Sequence, residues 1–289
     1  MYTLNRQESE IVREREFEFT RKDFDFLRTI SNQRTGIVVS DDKYDMFYSR
    51  LSRRVRRLGL KSFKDYCDLI REDQDGEETV ELVNSITTNL TAFFRENHHF
   101  EYLAKSVIPE LKTKNNTERK ISIWSAGCST GEEPYSLSMT LSDCLSSMPG
   151  WTVDILATDI DSNVLQRAAS AVYPLERVRD ISKPTLKKWF YKGKGSRSGM
   201  VKLKQEIRNQ IKFGQLNLMQ NWSVDNQKDV IFCRNVIIYF DKESKIKLID
   251  RFADYLKPGG YLFIGHSESL YKLTDRFELI GQTIYRKTK

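Results

Sequence analysis

The sequence predicts an α/β protein: a small all-helical N-terminal domain, then a doubly wound parallel sheet that carries a small antiparallel β-insert. Three observations predict it. Before residue 120 apolar residues recur at steps of three and four, with no strand signal. After Lys120 short apolar runs alternate with helical patterns, as in parallel strands joined by crossover helices. Around residues 185–215 this rhythm breaks into the turn-rich GKGSRSG and the alternating MVKLKQEIRNQIKF, the mark of a β-insert exposed on one face.

In chain order, the first twenty residues are polar, with alternating charge in REREFEF, and read as a tail or an unsteady helix; residues 1–30 are set apart as a mobile tail. Tyr44, Phe47, Tyr48, Leu51, Val55 and Leu58 form the apolar stripe of a helix. Asp41 or Asp42 can cap its start and Gly59 its end. Further helices are expected over Phe63–Ile70 and Glu77–Asn89, so residues 1–85 form the helical domain and 86–289 the second. There, ISIWSA is a strand, GCSTG a turn, and Glu132 to Met148 a helix. TVDILATDI is a second strand, followed by a helix over Ser162–Ala171. KDVIFC is a third, followed by a helix over Lys242–Tyr255. Lys257 to Gly260 forms a turn before the strand YLFIGH, and FELIGQTIYRK closes the chain as one or two strands.

Composition excludes several classes. With 289 residues, 39% of them hydrophobic, the chain can bury a substantial core and is too apolar to be disordered. The longest apolar run, Val236 to Phe240, is far too short for a membrane span. The polar start MYTLNRQESE lacks the core of a signal peptide, so a soluble cytoplasmic protein is expected. Cys67, Cys128, Cys144 and Cys233 form no C-x-x-C pair, so reduced thiols are expected. No metal site is expected either: the adjacent His98 and His99 should diverge, and His266 stands alone. The 47 basic and 40 acidic residues leave a net +7. That excess admits nucleic acid, an acidic membrane surface, an acidic protein or no partner at all.

The turn Gly127-Cys128-Ser129-Thr130-Gly131, between a strand and a helix, lets a ligand approach the backbone. The next strand ends in Asp159, where an acid can accept both ribose hydroxyls of a nucleoside cofactor; Asp161 is better read as a helix cap. Glu132 and Glu133 would repel a pyrophosphate and could welcome a cationic amino group, which favours S-adenosylmethionine over a dinucleotide. Two further segments mix polar and apolar residues. TTNLTAFFRENHHF contains Asn89, Thr91 and Arg95, the last two on one face if helical. CRNVIIYFD places Arg234 and Asn235 at a strand end, with Tyr239 beyond them.

TTNLTAFFREN, WSAGCSTGEEPYSL, ATDID, FCRNVIIYFD, LKPGGYLFIGHSE and GQTIYRK, in this order, closely resemble the CheR family of chemotaxis receptor methyltransferases. The resemblance implies a Rossmann-like S-adenosylmethionine-dependent methyltransferase domain after the helical one. It implies methyl transfer to glutamate side chains on the cytoplasmic helical region of chemoreceptors, giving glutamyl methyl esters and S-adenosylhomocysteine. Asn89, Thr91, Arg95 and Gly127 would contact the cofactor, Glu132 its amino-acid end and Asp159 its ribose. Asn217 and Leu218 would flank the adenine, and Arg234 and Asn235 complete the pocket. Arg95 and Tyr239 would face the substrate carboxylate, in a dry site lined by Phe93, Phe94 and Ile238. Ser129 stands where methyltransferases commonly have glycine, an irregularity shared by this family. Arg50, Arg53, Arg54 and Arg57, in a basic stretch without an acid, would dock the acidic receptor helix. The β-insert would take a receptor C-terminal peptide as an added strand. A monomer acting on protein, not nucleic acid, is expected. The rival readings are a nucleic-acid methyltransferase, against which no NPPY-like motif is present, and a non-catalytic cofactor-binding adaptor.

Overall fold

The structure, a computed structural model, describes residues 15–289 except 74, 75, 223, 225 and 226. It divides into two units: one ends at Ile30 and takes in Ser40–Ile86, and the other comprises Ser31–Val39 and Thr87–Lys289.

The first unit is built from α1 (Arg21–Thr35) up to Ile30, α2 (Tyr44–Arg57), α3 (Phe63–Glu72) and α4 (Glu77–Ile86). Phe24 and Leu27 of α1 are wholly buried with Phe47, Leu51, Val55, Phe63, Tyr66 and Ile70, so the tail expected through residue 30 gives way to a core helix from Arg21. Its pattern, Phe24, Phe26 and Leu27 among charges, is too brief to stand out in the sequence. Residues 1–14 of that expected tail lie outside the described residues. The caps expected for α2 are half present. Gly59 takes a left-handed φ of +70°, with the Leu60 N–H donating to the Val55 carbonyl at 3.1 Å. Asp41 instead starts a short 3-10 turn and pairs with Arg21 and Arg28, leaving α2 without a side-chain cap.

The second unit is a seven-stranded sheet in the order β6-β2-β1-β7-β8-β10-β9. The strands are β1 (Lys120–Ala126), β2 (Thr152–Asp159), β6 (Ile211–Gln215), β7 (Lys228–Cys233), β8 (Leu256–Ile264), β9 (Phe277–Gly281) and β10 (Ile284–Lys287). The first five run parallel, and β9 and β10 close the edge antiparallel. A helical run over residues 98–114 (α5) precedes β1; α6 (Glu132–Leu145), α7 (Ser162–Ser170) and α9 (Lys242–Tyr255) follow β1, β2 and β7. Central β7 is buried along its whole length, as expected of a parallel strand covered on both faces. From β1 the chain builds outward to β2 on one side and later returns to place β7 on the other. That reversal opens a crevice at the carboxyl ends of β1 and β7, where ligands bind in sheets of this kind.

A separate three-stranded antiparallel sheet has the order β3 (Val172–Pro174), β5 (Met200–Leu203), β4 (Phe190–Lys192), with α8 (Lys183–Trp189) before β4. The insert therefore spans 172–203, not 185–215. The alternating run divides after Leu203: a helical turn at Gln205–Arg208 intervenes, and Ile211–Gln215 joins the main sheet beside β2. The turn expected at Lys257–Gly260 lies inside β8, as an irregularity opposite Lys228.

Candidate active site

At the end of β1 the chain turns into α6 through three left-handed residues, Gly127 (φ +85°), Ser129 (φ +50°) and Gly131 (φ +96°). Glycine adopts this region freely; serine does so at a cost. Bonding offsets that cost at Ser129, whose N–H donates to Asp159 Oδ2 (2.7 Å) and whose hydroxyl donates to the Asn89 carbonyl (3.0 Å). A Cβ added to Gly131 would fall 2.9 Å from that of Ala168, so the turn admits no side chain there.

Asp159, buried at the end of β2, also accepts the Asp161 N–H at 3.0 Å. Burial pushes its carboxyl above the usual range, against those two bonds. Asp161 caps α7 through the Asn163 N–H (2.9 Å) and also accepts Asn89 Nδ2 (2.7 Å) and Thr87 Oγ1 (2.9 Å). Asn89 thus ties the glycine turn to the end of β2. Wholly buried Glu132 accepts Thr130 Oγ1 at 2.6 Å and pairs with Arg177, which donates to the Thr91 carbonyl at 2.9 Å. Nothing in the sequence pointed to Arg177, whose short 3-10 turn after β3 lies 45 residues from Glu132.

Residues 87–97 form no helix, so Thr91 and Arg95 do not share a helix face; Phe94 and Glu96 take φ of +53° and +56°. Arg95 Nη1 donates to the Leu90 carbonyl at 2.8 Å and has no carboxylate partner among the described residues. Arg234 differs. Its buried guanidinium reaches Glu133 at 3.1 Å and Glu96 at 3.3 Å and donates to the Arg95 carbonyl. It ties the Arg95 loop to two carboxylates, which share its charge. Burial pushes the Glu133 carboxyl up, opposed by Arg234.

Asn235 follows β7 in the left-handed region, φ +59°, which asparagine tolerates. Its N–H donates to Glu268 at 3.0 Å, and Glu268 also accepts the N–H groups of Ile238 (3.2 Å) and Gly265 (2.5 Å). This buried carboxylate organises the loop bearing Asn235 and half-buried Tyr239. It lies in the quoted run LKPGGYLFIGHSE, but only the fold brings its backbone partners to it. Phe93 is buried against Tyr173 and Phe190, Phe94 packs on Phe100, and Ile238 is exposed at the rim instead of lining a dry interior. After β6, Asn217 Nδ2 donates to the Arg34 carbonyl at 2.5 Å and Leu218 is buried in the cluster around Trp124 and Trp222, so both have protein partners.

On α2, Arg54 pairs with Glu78 and Glu81, and Arg50 donates to the Ile86 carbonyl. The acids missing from the basic stretch itself come from α4, so Arg54 is a structural brace. Arg53 and Arg57 remain exposed.

The histidines also depart from expectation. His98 and His99 do not diverge: their ring centroids are 4.2 Å apart. His266 is not alone, since its Nδ1 lies 2.8 Å from Glu96 Oε1. Burial would raise the Glu96 carboxyl, but His266 and Arg234 outweigh it and bring it to about 2. Burial, then the charges of Arg234 and His98, bring His99 down to about 4. The unfolded chain protonates His99 near its ordinary pKa of 6.5, whereas the folded chain does not until about 4. His99 therefore removes stability as pH falls through that window, roughly 2 kcal/mol by pH 5. The raised carboxyls of Asp159, Glu133 and Glu268 act in the opposite direction. The check is the difference between wild type and His99→Gln, both freed of divalent ions with chelator, in urea midpoint at pH 7.5 and 5.0. The wild type should lose more on acidification, and equal losses would refute the assignment.

A doubly wound sheet with a glycine turn and a strand-end acid at its switch point defines a Rossmann-like nucleoside-cofactor domain. Residues 89–286 match the CheR methyltransferase, SAM binding domain, and residues 22–87 the CheR methyltransferase, all-alpha domain. The chain is 45% identical over 259 residues to the chemotaxis protein methyltransferase of Escherichia coli K12, covering 89% of this chain and 87% of that protein. It is 42% identical over 278 residues to chemotaxis protein methyltransferase 2 of Pseudomonas aeruginosa, covering 96% of this chain and 97% of that one. The chain belongs to the CheR methyltransferase family, and S-adenosylmethionine is its cofactor. The residues present fit such a cofactor: two buried acids, Glu132 and Asp159, stand beside a turn whose two glycines leave no room for a Cβ, a setting better suited to a cationic, phosphate-free nucleoside than to phosphates. Among the described residues, no helix is long and apolar enough to cross a membrane.

Proposed function

We propose that this enzyme methylates glutamate side chains on the cytoplasmic helical region of chemotaxis receptors, giving glutamyl methyl esters for sensory adaptation. The similarity over both domains to chemotaxis protein methyltransferases carries this reading. S-adenosylmethionine supplies a methyl group made electrophilic by its sulfonium. Glu132 holds the amino-acid end, Asp159 the ribose, and Asn217 and Leu218 the adenine side. Asn89, Thr91, Gly127 and Asn235 complete the pocket, and Arg234 acts on it through Glu96 and Glu133. Arg95 and Tyr239 bind and orient the substrate carboxylate. That carboxylate is already ionised at pH 7, so no residue need remove a proton, and alignment supplies the catalysis. Tritiated-methyl transfer to receptor-enriched membranes, followed by mild alkali, tests the reading. Label released as methanol is expected; label stable to alkali, or recovered in nucleic acid, would sink it.

Arg53 and Arg57 are proposed to steer the acidic receptor helix. Reversing both charges should lower receptor methylation several-fold at low salt and flatten its salt dependence, with cofactor affinity unchanged. An unaltered salt profile would reduce them to a solvated face. The outer strands of the insert, β3 and β4, are the edges at which a receptor tail peptide could add as a strand, which a pull-down with such peptides would test.

A further inference from the structure

All three histidines of the chain gather at one carboxylate, that of Glu96. His99 Nε2 lies 3.1 Å from the Gln282 carbonyl and 3.0 Å from Thr283 Oγ1. A carbonyl can only accept, so Nε2 carries the ring proton. In the neutral ring Nδ1 is then a bare lone pair. It faces Glu96 Oε2 across 3.5 Å, an anionic oxygen that also offers only lone pairs. The His98 ring lies against that of His99, tilted by 52°. Glu96 Oε2, His98 Nε2 and His99 Nδ1 are each buried with no hydrogen-bond partner among the described residues. The ligand atoms of the three side chains lie within 4.8 Å of one another. Buried polar atoms are rarely left without partners; Glu96 Oε2 and His99 Nδ1 turn only lone pairs to each other, with His98 Nε2 beside them, and that pair requires a cation or a donor between its atoms.

Arg234 does not meet that need. Its Nη2 approaches Glu96 Oε2 only to 3.3 Å, its Nε also lacks a partner, and its charge is shared with Glu133.

We propose that Glu96, His98 and His99 form a binding site for a divalent transition-metal ion of the zinc type. Two imidazole nitrogens and a carboxylate oxygen are a ligand set that such ions prefer. Bonds of roughly 2.0–2.1 Å in a tetrahedron set ligand atoms about 3.4 Å apart. The Glu96–His99 pair already has that spacing, at 3.5 Å, and His98 has to swing inward. Outer contacts hold both ligands in place: Gln282 fixes the tautomer of His99, and His266 bonds the second oxygen of Glu96. The ion would clamp the loop at its strained positions, Phe94 and Glu96, on either side of Arg95. Binding of metal is independent of what the enzyme methylates, so it can be tested without a methylation assay.

The full chain, stripped with chelator, is titrated with zinc by calorimetry and with cobalt by visible spectroscopy. The expected result is one ion per chain, four-coordinate cobalt bands without thiolate charge transfer, and a Tm raised by zinc. Glu96→Gln and His98→Ala should each weaken zinc at least about tenfold and remove the Tm shift. His98 is only half-buried, so its truncation leaves the fold testable. Absence of stoichiometric binding, thiolate bands, or binding that survives both substitutions overturns the site. In the first case a shared proton or a water bridges Glu96 and His99.

Discussion

Arg95→Ala is expected to lower kcat/KM for receptor methylation about 10²–10³-fold while the fold is retained, the range seen when one preorganised donor is removed from a reacting centre. Besides Arg177, which pairs with Glu132, Arg95 and Arg234 belong to the candidate site, and their surroundings separate their tasks. Arg234 is buried against Glu133 and Glu96. Arg95 donates to a backbone carbonyl, Leu90, and has no carboxylate partner among the described residues, which is the basis for proposing that it meets an anionic substrate. Arg95→Lys should recover only part of the loss, because an ammonium cannot grip a carboxylate with two parallel bonds. Circular dichroism and thermal melting should match wild type. If turnover is unchanged in the alanine variant, Arg95 does not position the carboxylate.

Glu268→Ala is the second large expected effect, and it divides between stability and rate. Three backbone N–H groups, those of Asn235, Ile238 and Gly265, lose their acceptor. The buried Gly265 N–H costs about 1–3 kcal/mol as an orphan and the part-buried Asn235 and Ile238 N–H groups less, so a loss of roughly 2 kcal/mol or more is expected. The left-handed turn at Asn235 relaxes with it, and Tyr239 moves with the loop. Glu268→Gln retains one acceptor oxygen, able to keep the Asn235 and Gly265 bonds that share Oε2, and loses the bond from Ile238. It should fold with an intermediate loss and a lowered kcat at nearly unchanged cofactor affinity. Equal stability of the alanine variant and wild type would refute the role. Faster amide exchange at Ile238 in the glutamine variant would tie the lost kcat to the loop.

Local patterns on the chain anticipated much of this molecule. The period of apolar residues separated the helical unit from the sheet unit, because a helix and a strand bury different spacings. The strand ends at Ala126, Asp159 and Cys233 were legible, since each apolar run stops at a glycine or polar residue. The motifs around Asn89, Gly127, Asp159 and Asn235 placed the crevice. Failures came where a segment's partner is remote. Residues 21–30 look like a polar tail until Tyr44 and Phe47 of α2 pack on Phe24 and the fold buries Leu27. Ile211–Gln215 alternates like an insert strand until the edge of β2 claims it.

The same limit governs charge. The sequence determined by itself that the chain is a two-part methyltransferase and which residue types stand at its strand ends, because those signals are local and periodic. Its net +7 and basic stretch, however, only admitted an anionic partner. Tertiary structure alone decided that Arg54 belongs to Glu78, Arg177 to Glu132 and Arg234 to Glu133 and Glu96, and that the histidines meet at Glu96. Whether a charge is available depends on what lies within a few ångströms of it, and the arginines' partners come from residues dozens to more than a hundred positions away.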